Sequence, residues 1–409
     1  MIEVLNTDQS EMRPKRILML LENQSFPDDV RVLLEAEALL AAGYELTVIC
    51  PTGDSRQWFE RVGECRVYRY PQPFEAHGFL GYVFEYGYSL TALFLWSLYV
   101  FVRHGFDVVH VHTPPDMTAM IAIFYKVFGK RFVFDLHDLS PELYLARRQD
   151  DRPNIVYKLL LFFERLACRG ADRLIATNAS QRDIQVNRCG ADEKDCSIVR
   201  NGPNGLFLSE VQAKQDLVDR KKITLGYVGA IGIQDGVDYM VRAVHELKVQ
   251  HQREDFIAVI VGDGPAMKQL RKLAVDLDVQ ELICFTGGIP FASVPAYIAA
   301  FDICLTPDPS NAYNDSCTTI KTMEYMALRK PTVCFRTREN QLTAGDAALY
   351  ANNNDVSEFS RLVCQLMDEP LLRASMGEIA RARIDNGLTW KHQAVSLVSL
   401  YESLFDPSI

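Results

Sequence analysis

Several signatures are missing from these 409 residues, and each absence removes a class of function. No G-x-x-x-x-G-K-[ST] occurs, so a P-loop that cradles phosphate with its own lysine is excluded. No G-x-G-x-x-G follows the first strand, and a dinucleotide oxidoreductase loses its main support with it. An excess of positive charge is also lacking. Lys and Arg number 43 against 53 Asp and Glu, for a net charge of −10. Such a chain has no global attraction to a phosphate backbone, which argues against nucleic acid as the main partner. A local basic pocket for a small phosphorylated ligand is still allowed.

The ten cysteines contain no C-x-x-C pair, and several lie inside apolar runs, such as Cys50 in LTVIC and Cys304 in FDICL. That distribution reads as buried free thiols in a reducing compartment rather than a disulfide framework or a zinc site. The polar amino-terminal stretch MIEVLNTDQSEMRPKR has no apolar core of a secretory signal. Together these features lead to the expectation of a cytoplasmic protein. No apolar run is long enough for a clear membrane span. The uncharged run 86–102 is seventeen residues and is broken by Gly87, Ser89, Thr91 and Ser97, and a spanning helix needs about 20 apolar residues. A buried core helix is the first reading. A helix lying in the bilayer interface, favoured by Trp96 and its neighbouring tyrosines, is the second.

What is present is an alternation of short apolar strands with helical segments. RILMLL (16–21), ELTVICP (45–51), DVVHVH (107–112), RFVFDLH (131–137) and DRLIAT (172–177) are strand-like, with amphipathic stretches such as VRVLLEAEALLAAGY between them. The pattern restarts with ITLGYVG (223–229), FIAVIVG (256–262), LICFTG (282–287), DICLTP (302–307) and PTVCF (331–335). Apolar strands alternating with helices predict parallel sheets covered on both faces. The expected organisation is α/β, with two doubly wound Rossmann-like units facing a cleft. One spans 1–210, the other 211–386, and a terminal helix in 387–409 packs back toward the first.

In open sheets of this kind ligands bind beyond the carboxyl ends of the strands, so the residues after each strand are the ones to inspect. His137 and Asp138 end one strand, and Pro141-Glu142 can begin the following helix. His110, His112 and Asp116 end the strand before it. A histidine at such a place can contact a substrate hydroxyl or phosphate, or only cap a helix. His110-x-His112 also has metal-ligand chemistry, but without a set spacing of further ligands the signal is weak. The second loaded stretch is Asp308–Phe335, where Asp315, Ser316 and Thr318 are helix-capping types ahead of Lys321 and Glu324. Helix amides offered to a diphosphate, with a carboxylate for ribose hydroxyls, would suit a nucleotide sugar. A capped surface helix with solvated charges is the alternative.

These residues carry a resemblance. The order and spacing of AGYELTVICP, DVVHVH, ADRLIATN, VRNGPN (199–204), GYVGAIGIQDGVDYMVRA, VIVGDGP, FTGGIPFASVPAYIAAFDICLTP and EYMALRKPTV resemble family-4 retaining glycosyltransferases with the two-Rossmann-domain GT-B architecture. The likeness covers nearly the whole chain. It implies transfer of a sugar from a nucleotide diphosphate sugar to an acceptor hydroxyl, with retention at the anomeric carbon and no metal or other cofactor.

The family's second donor-site glutamate matches Glu324. Its first would fall at Ser316, so Asp315 is the candidate substitute. The arginine and lysine that grip the diphosphate are replaced by Ala230 and Asp235, which leaves Lys321 or Arg200 to provide the charge. His137 matches the histidine that meets the donor sugar. The expected donor site therefore comprises Gly229, Arg200, Asn201, Gly262, Gly264, Asp315, Ser316, Thr318, Thr319, Lys321 and Glu324. His137 and Glu324 carry the catalytic roles, and His112, Asp116 and Asp138 lie on the acceptor side. The segment 86–102 makes a lipid-linked acceptor at the inner face of a membrane a further expectation. Two other functions fit the same residues, a nucleotide-sugar epimerase or hydrolase and a catalytically degenerate binding partner.

Overall fold

The computed structural model describes residues 13–53, 55, 57–72, 78–148, 152–218 and 222–405. The polar amino-terminal stretch 1–12, residues 219–221 of the lysine-bearing connection and 406–409 of the terminal segment lie outside the described residues.

Two sheets divide the chain. The first contains β1 (Arg16–Leu20), β2 (Glu45–Pro51), β3 (Phe59–Val62), β4 (Cys65–Tyr70), β5 (Val108–His112), β6 (Arg131–Leu136), β7 (Arg173–Ala176) and β8 (Cys196–Ile198). Its order is β3-β4-β2-β1-β5-β6-β7-β8, parallel throughout except for the antiparallel β3–β4 pair. The second contains β9 (Ile223–Val228), β10 (Phe256–Val261), β11 (Ile283–Gly287), β12 (Ile303–Thr306), β13 (Thr332–Phe335) and β14 (Ala348–Ala351), in the order β11-β10-β9-β12-β13-β14. Helices cover both faces of each, which is why β10 (FIAVIV) is apolar on both sides and almost wholly buried. Fold class and two-sheet architecture agree with the sequence expectation. The β3–β4 hairpin, β8 and β14 were not anticipated. They are three to six residues long, β3 is half exposed, and only β14 (ALYA) is a continuous apolar run, too short at four residues to stand out.

In each sheet the strand order reverses once, between β1 and β5 and again between β9 and β12. Successive helices then leave in opposite directions and a crevice opens at the carboxyl ends of these central strands. The chain passes between the sheets twice. The two passages lie side by side, with Trp390 N donating to Pro203 O at 3.1 Å. A Cβ on Gly202 would lie 2.4 Å from Leu388 O, so only glycine permits this approach. After that crossing the helix Trp390–Phe405 buries Leu397, Leu400, Tyr401 and Leu404 in the core of the first sheet, with Ile17, Met19 and Val48. Each such side chain contributes about 1.5–3 kcal/mol of burial.

The apolar segment 86–102 lies within the helix Gly78–Arg103. One side of it is buried against the first sheet through Ser89, Leu93, Ser97 and Val100, while Phe84, Leu95, Tyr99 and Val102 are exposed. No helix among the described residues is long and apolar enough to cross a membrane. All ten cysteines are free.

Candidate functional site

A cleft of about 870 Å³ separates the two sheets and is lined by the residues that follow their central strands. From the first sheet come Leu21–Gln24 after β1, His112–Pro114 after β5, His137 and Asp138 after β6, and Thr177 after β7. From the second come Gly229 and Ala230 after β9, Gly262 and Asp263 after β10, Gly288 after β11 and Asp308 after β12. Gly262 has φ +139° and a Cβ there would lie 1.9 Å from Gly229 O. These two glycines let the ends of β9 and β10 pack together beneath the cleft.

Of the sequence-derived candidates, His112, His137, Asp138, Asn201, Gly229, Gly262, Thr318, Thr319, Lys321 and Glu324 line the cleft. The others do not. Arg200 Nη1 lies 3.9 Å from Glu339 and outside the lining of the cleft. Gly264 is a packing residue, because a Cβ would meet Ile231 O at 2.5 Å. Asp315 accepts from Ser310 Oγ at 3.1 Å, and burial raises its carboxyl. Ser316 donates to Ala312 O, while its own carbonyl accepts from Asn178 Nδ2 at 3.0 Å. Neither Asp315 nor Ser316 brings a group to the position of a first donor glutamate. Asp116 is sealed under the surface with Ser140 Oγ at 3.1 Å, and burial raises it well above the usual carboxylate range.

The second-sheet wall centres on the helix Ile320–Ala327. It starts later than the sequence suggested. Asp315 and Ser316 belong to a separate turn, Asn314–Ser316, and the true N-cap is Thr319. The Thr319 hydroxyl bonds Thr322 Oγ1 at 2.7 Å rather than the helix amides, so the positive end of the helix stays open to an anion. Glu324 sits one turn into this helix. It is 8% exposed, and burial, partly offset by Lys321, pushes its carboxyl up from 4.5 to about 7. Lys321 Nζ contacts both oxygens of Asp308, at 2.8 and 2.9 Å. Burial works against its charge, but Asp308 and then Asp235 outweigh this and raise its pKa. Asp235, read from sequence as unable to meet a phosphate, accepts from Gly232 N at 2.8 Å and is raised by burial.

On the first-sheet wall His137 is backed by a buried charged cluster. Arg31, the second residue of the helix Val30–Ala41, pairs with Glu35 one turn on at 3.0 Å and with Asp135 of β6 at 2.9 Å. Its remaining donors reach Val199 O at 2.9 Å and Asn201 Oδ1 at 2.6 Å. Burial would weaken the Arg31 charge, but Asp135 and Glu35 overcome it and raise the pKa. Asp135 is likewise penalised by burial, and Arg31 and His137 hold it well below the usual range. Glu35 goes the other way, raised well above by burial and by Asp135. His110 and His112 are both depressed, first by burial. Ligand-type atoms of Glu35, His110, His112 and Asp135 lie within 4.8 Å of one another, a donor set with metal-binding chemistry. However, Asp135 Oδ2 already receives Arg31 Nε at 3.2 Å, Arg31 Nη2 at 3.1 Å and His137 Nε2 at 2.9 Å. A cation would share its ligand oxygen with a guanidinium. A D-x-D at Asp276 and Asp278 stands outside the cleft, where Asp278 pairs with Lys248 at 2.8 Å.

Sequence reading missed Arg31, Glu35, Asp135, Asp308 and Tyr313. A lone Asp inside the apolar run RFVFDLH and an Arg31/Glu35 pair on the apolar face of a helix were available signals. Each places charge where only a buried partner makes it tolerable. Tyr313, whose hydroxyl donates to Asp138 Oδ1 at 2.7 Å across the cleft, had no such signal.

Among the described residues lining the cleft, Glu22, Asp28, Asp29, Asp138, Asp235, Asp263, Asp308 and Glu324 outnumber the cations Arg31 and Lys321. Arg31 is committed to its own carboxylates, so any phosphate held here depends on Lys321 and the open helix end.

Comparison with known proteins gives the same frame. The family described as Glycosyltransferase Family 4 matches residues 30–204, and Glycosyl transferases group 1 matches 222–369. A 2-deoxystreptamine glucosyltransferase of Streptomyces kanamyceticus is 24% identical over 64% of this chain and 69% of its own length. An uncharacterized glycosyltransferase of Methanocaldococcus jannaschii is 22% identical over 88% and 90%. Among solved structures, sucrose-phosphate synthase from Thermosynechococcus elongatus superposes with a TM-score of 0.79 at 17% identity, covering 96% of this chain and 100% of that one. HepE of Anabaena in complex with UDP and glucose does so with 0.71 at 14% identity, covering 95% and 100%.

Proposed function

We propose a donor, an acceptor and a division of labour for a chain that belongs to glycosyltransferase family 4 and folds in the GT-B architecture. The donor is a nucleotide diphosphate sugar, bound by the unit 211–386. The acceptor is held by the unit 1–210, the helix of 387–409 closes back on that unit, and no metal cofactor is required. The observation that carries this reading is the cleft itself. Lys321, Glu324 and an uncapped helix end stand on one wall, and His137 and Asp138 on the other. The helix amides and Lys321 would take the diphosphate, and Glu324 the ribose hydroxyls.

In the proposed step the acceptor oxygen attacks the anomeric carbon as the carbon–phosphate oxygen bond breaks. The acceptor proton passes to the leaving diphosphate on the same face, so configuration is retained. His137 orients the donor sugar, and closure of the two walls keeps water from competing. A lipid-linked acceptor at the inner face of a membrane is supported by exposed Phe84, Leu95 and Val102 on the helix Gly78–Arg103, and by exposed Val127 and Phe128 in the turn after the helix Ala119–Lys126.

The test is a thermal-shift screen of the purified protein against nucleotide diphosphate sugars, followed by a transfer assay with the donor that stabilises it. Transfer that survives both His137→Ala and Glu324→Ala at full rate overturns the assignment. The Lys321–Asp308 pair favours a second reading, in which the nucleotide sugar binds but is not turned over. Stabilisation without product after long incubation selects it.

A further inference from the structure

We infer that Asp135 is a positioning residue for His137, and that it sets which nitrogen of that ring faces the cleft. The inference rests on the reading of His137 as the group that meets the donor sugar.

His137 Nε2 lies 2.9 Å from Asp135 Oδ2. Asp135 is fully buried and accepts, so Nε2 must carry the hydrogen. His137 itself is only partly buried, with its side chain 16% exposed at the cleft. Nδ1 is the ring nitrogen the buried cluster leaves unused. In the neutral ring it is a lone pair directed to a ligand, suited to accept from a sugar hydroxyl. Once the ring is protonated, Nδ1 becomes a donor suited to a phosphate oxygen. The opposite tautomer would set the Nε2 lone pair against a carboxylate.

The rest of the cluster fixes Asp135 in turn. Arg31 grips both of its oxygens and anchors the other end of its guanidinium on Val199 O and Asn201 Oδ1. Because residues 201–204 also line the cleft, the same arginine ties the base of His137 to the crossing between the sheets. His112 Nδ1 sits 3.4 Å from both His137 Nε2 and Asp135 Oδ2, closing the other side of the pair. His110 lies beneath them, held by the hydroxyl of Tyr401 at 2.9 Å. A buried carboxylate gripped on both oxygens by a guanidinium orients a ring more narrowly than a solvent-facing one.

Two measurements on the full chain test this. In protein labelled with nitrogen-15 histidine, the neutral His137 ring is expected with hydrogen on Nε2 and a bare Nδ1. A dominant Nδ1–H form overturns the inference, and this result needs neither substrate nor mutation. In the transfer assay, Asp135→Asn is expected to lower kcat about a hundredfold, with KM for the donor changed less than about threefold and the pH profile displaced. His137→Ala combined with Asp135→Asn is expected to be no slower than His137→Ala alone. Losses that multiply mean Asp135 acts by another route and overturn the inference. If Asp135→Asn does not fold, the tautomer result decides. If no donor is turned over, the proposed function fails while the tautomer still reports on the pair.

Discussion

Lys321 Nζ rests between the two carboxylate oxygens of Asp308, at 2.8 and 2.9 Å, and 4.9 Å above the ring of Tyr227. A diphosphate entering the cleft therefore competes with a carboxylate for the cation. Lys321→Ala is expected to weaken a nucleoside diphosphate by about 1.5–3 kcal/mol, roughly tenfold or more, as for other charge-assisted bonds. The bare nucleoside should bind unchanged. Calorimetric titration of both ligands checks this, and equal losses for the two would remove Lys321 from the phosphate site.

Glu324 titrates near neutrality because burial raises it to about 7. If ribose hydroxyls need the ionised carboxylate, nucleotide affinity should rise as pH increases from about 6 to 8, with proton release on binding. Glu324→Gln should flatten that dependence relative to the parent. The stability consequence has the opposite sign. A raised acid favours the folded state below its unfolded value of 4.5 and loses that advantage as pH climbs to about 7. The glutamine variant should thus gain melting temperature on the parent from acid to neutral pH.

Leu95 and Val102 are 60% and 86% exposed on the helix Gly78–Arg103. The double change Leu95→Glu, Val102→Glu should abolish co-flotation with vesicles containing anionic lipid. Being at the surface, each substitution should shift stability by no more than about 0.5 kcal/mol. Flotation that is unaffected by both charges would assign membrane contact elsewhere or nowhere.

The Tyr401 hydroxyl is the polar partner of His110 Nδ1, and both residues are fully buried. Tyr401→Phe leaves that nitrogen unsatisfied and should cost about 1–3 kcal/mol in urea unfolding. A change within error would mean that the terminal helix is held by its leucines alone.

The amino-acid sequence by itself determined the alternation of strands and helices, because parallel strands buried on both faces must be apolar runs such as ILML in β1 and FIAVIV in β10. It also determined the two ends richest in chemistry, after β6 and after β12, since polar residues following an apolar run lie where such sheets open. It did not distinguish Arg200 from Lys321 as the cation, and it did not single out Asp308 as the carboxylate beside Lys321. Those choices depend on which way a side chain turns. Arg200 turns toward Glu339 of the helix Arg338–Ala344, far along the chain. The tertiary structure alone joined Arg31, Asp135 and His137, because residues 104 positions apart meet at a 2.9 Å ion pair only when β6 and the first helix pack at the same crevice. Local periodicity specifies the elements. The charge of a site is decided by long-range packing, which brings some ionisable groups together in low dielectric and turns others away.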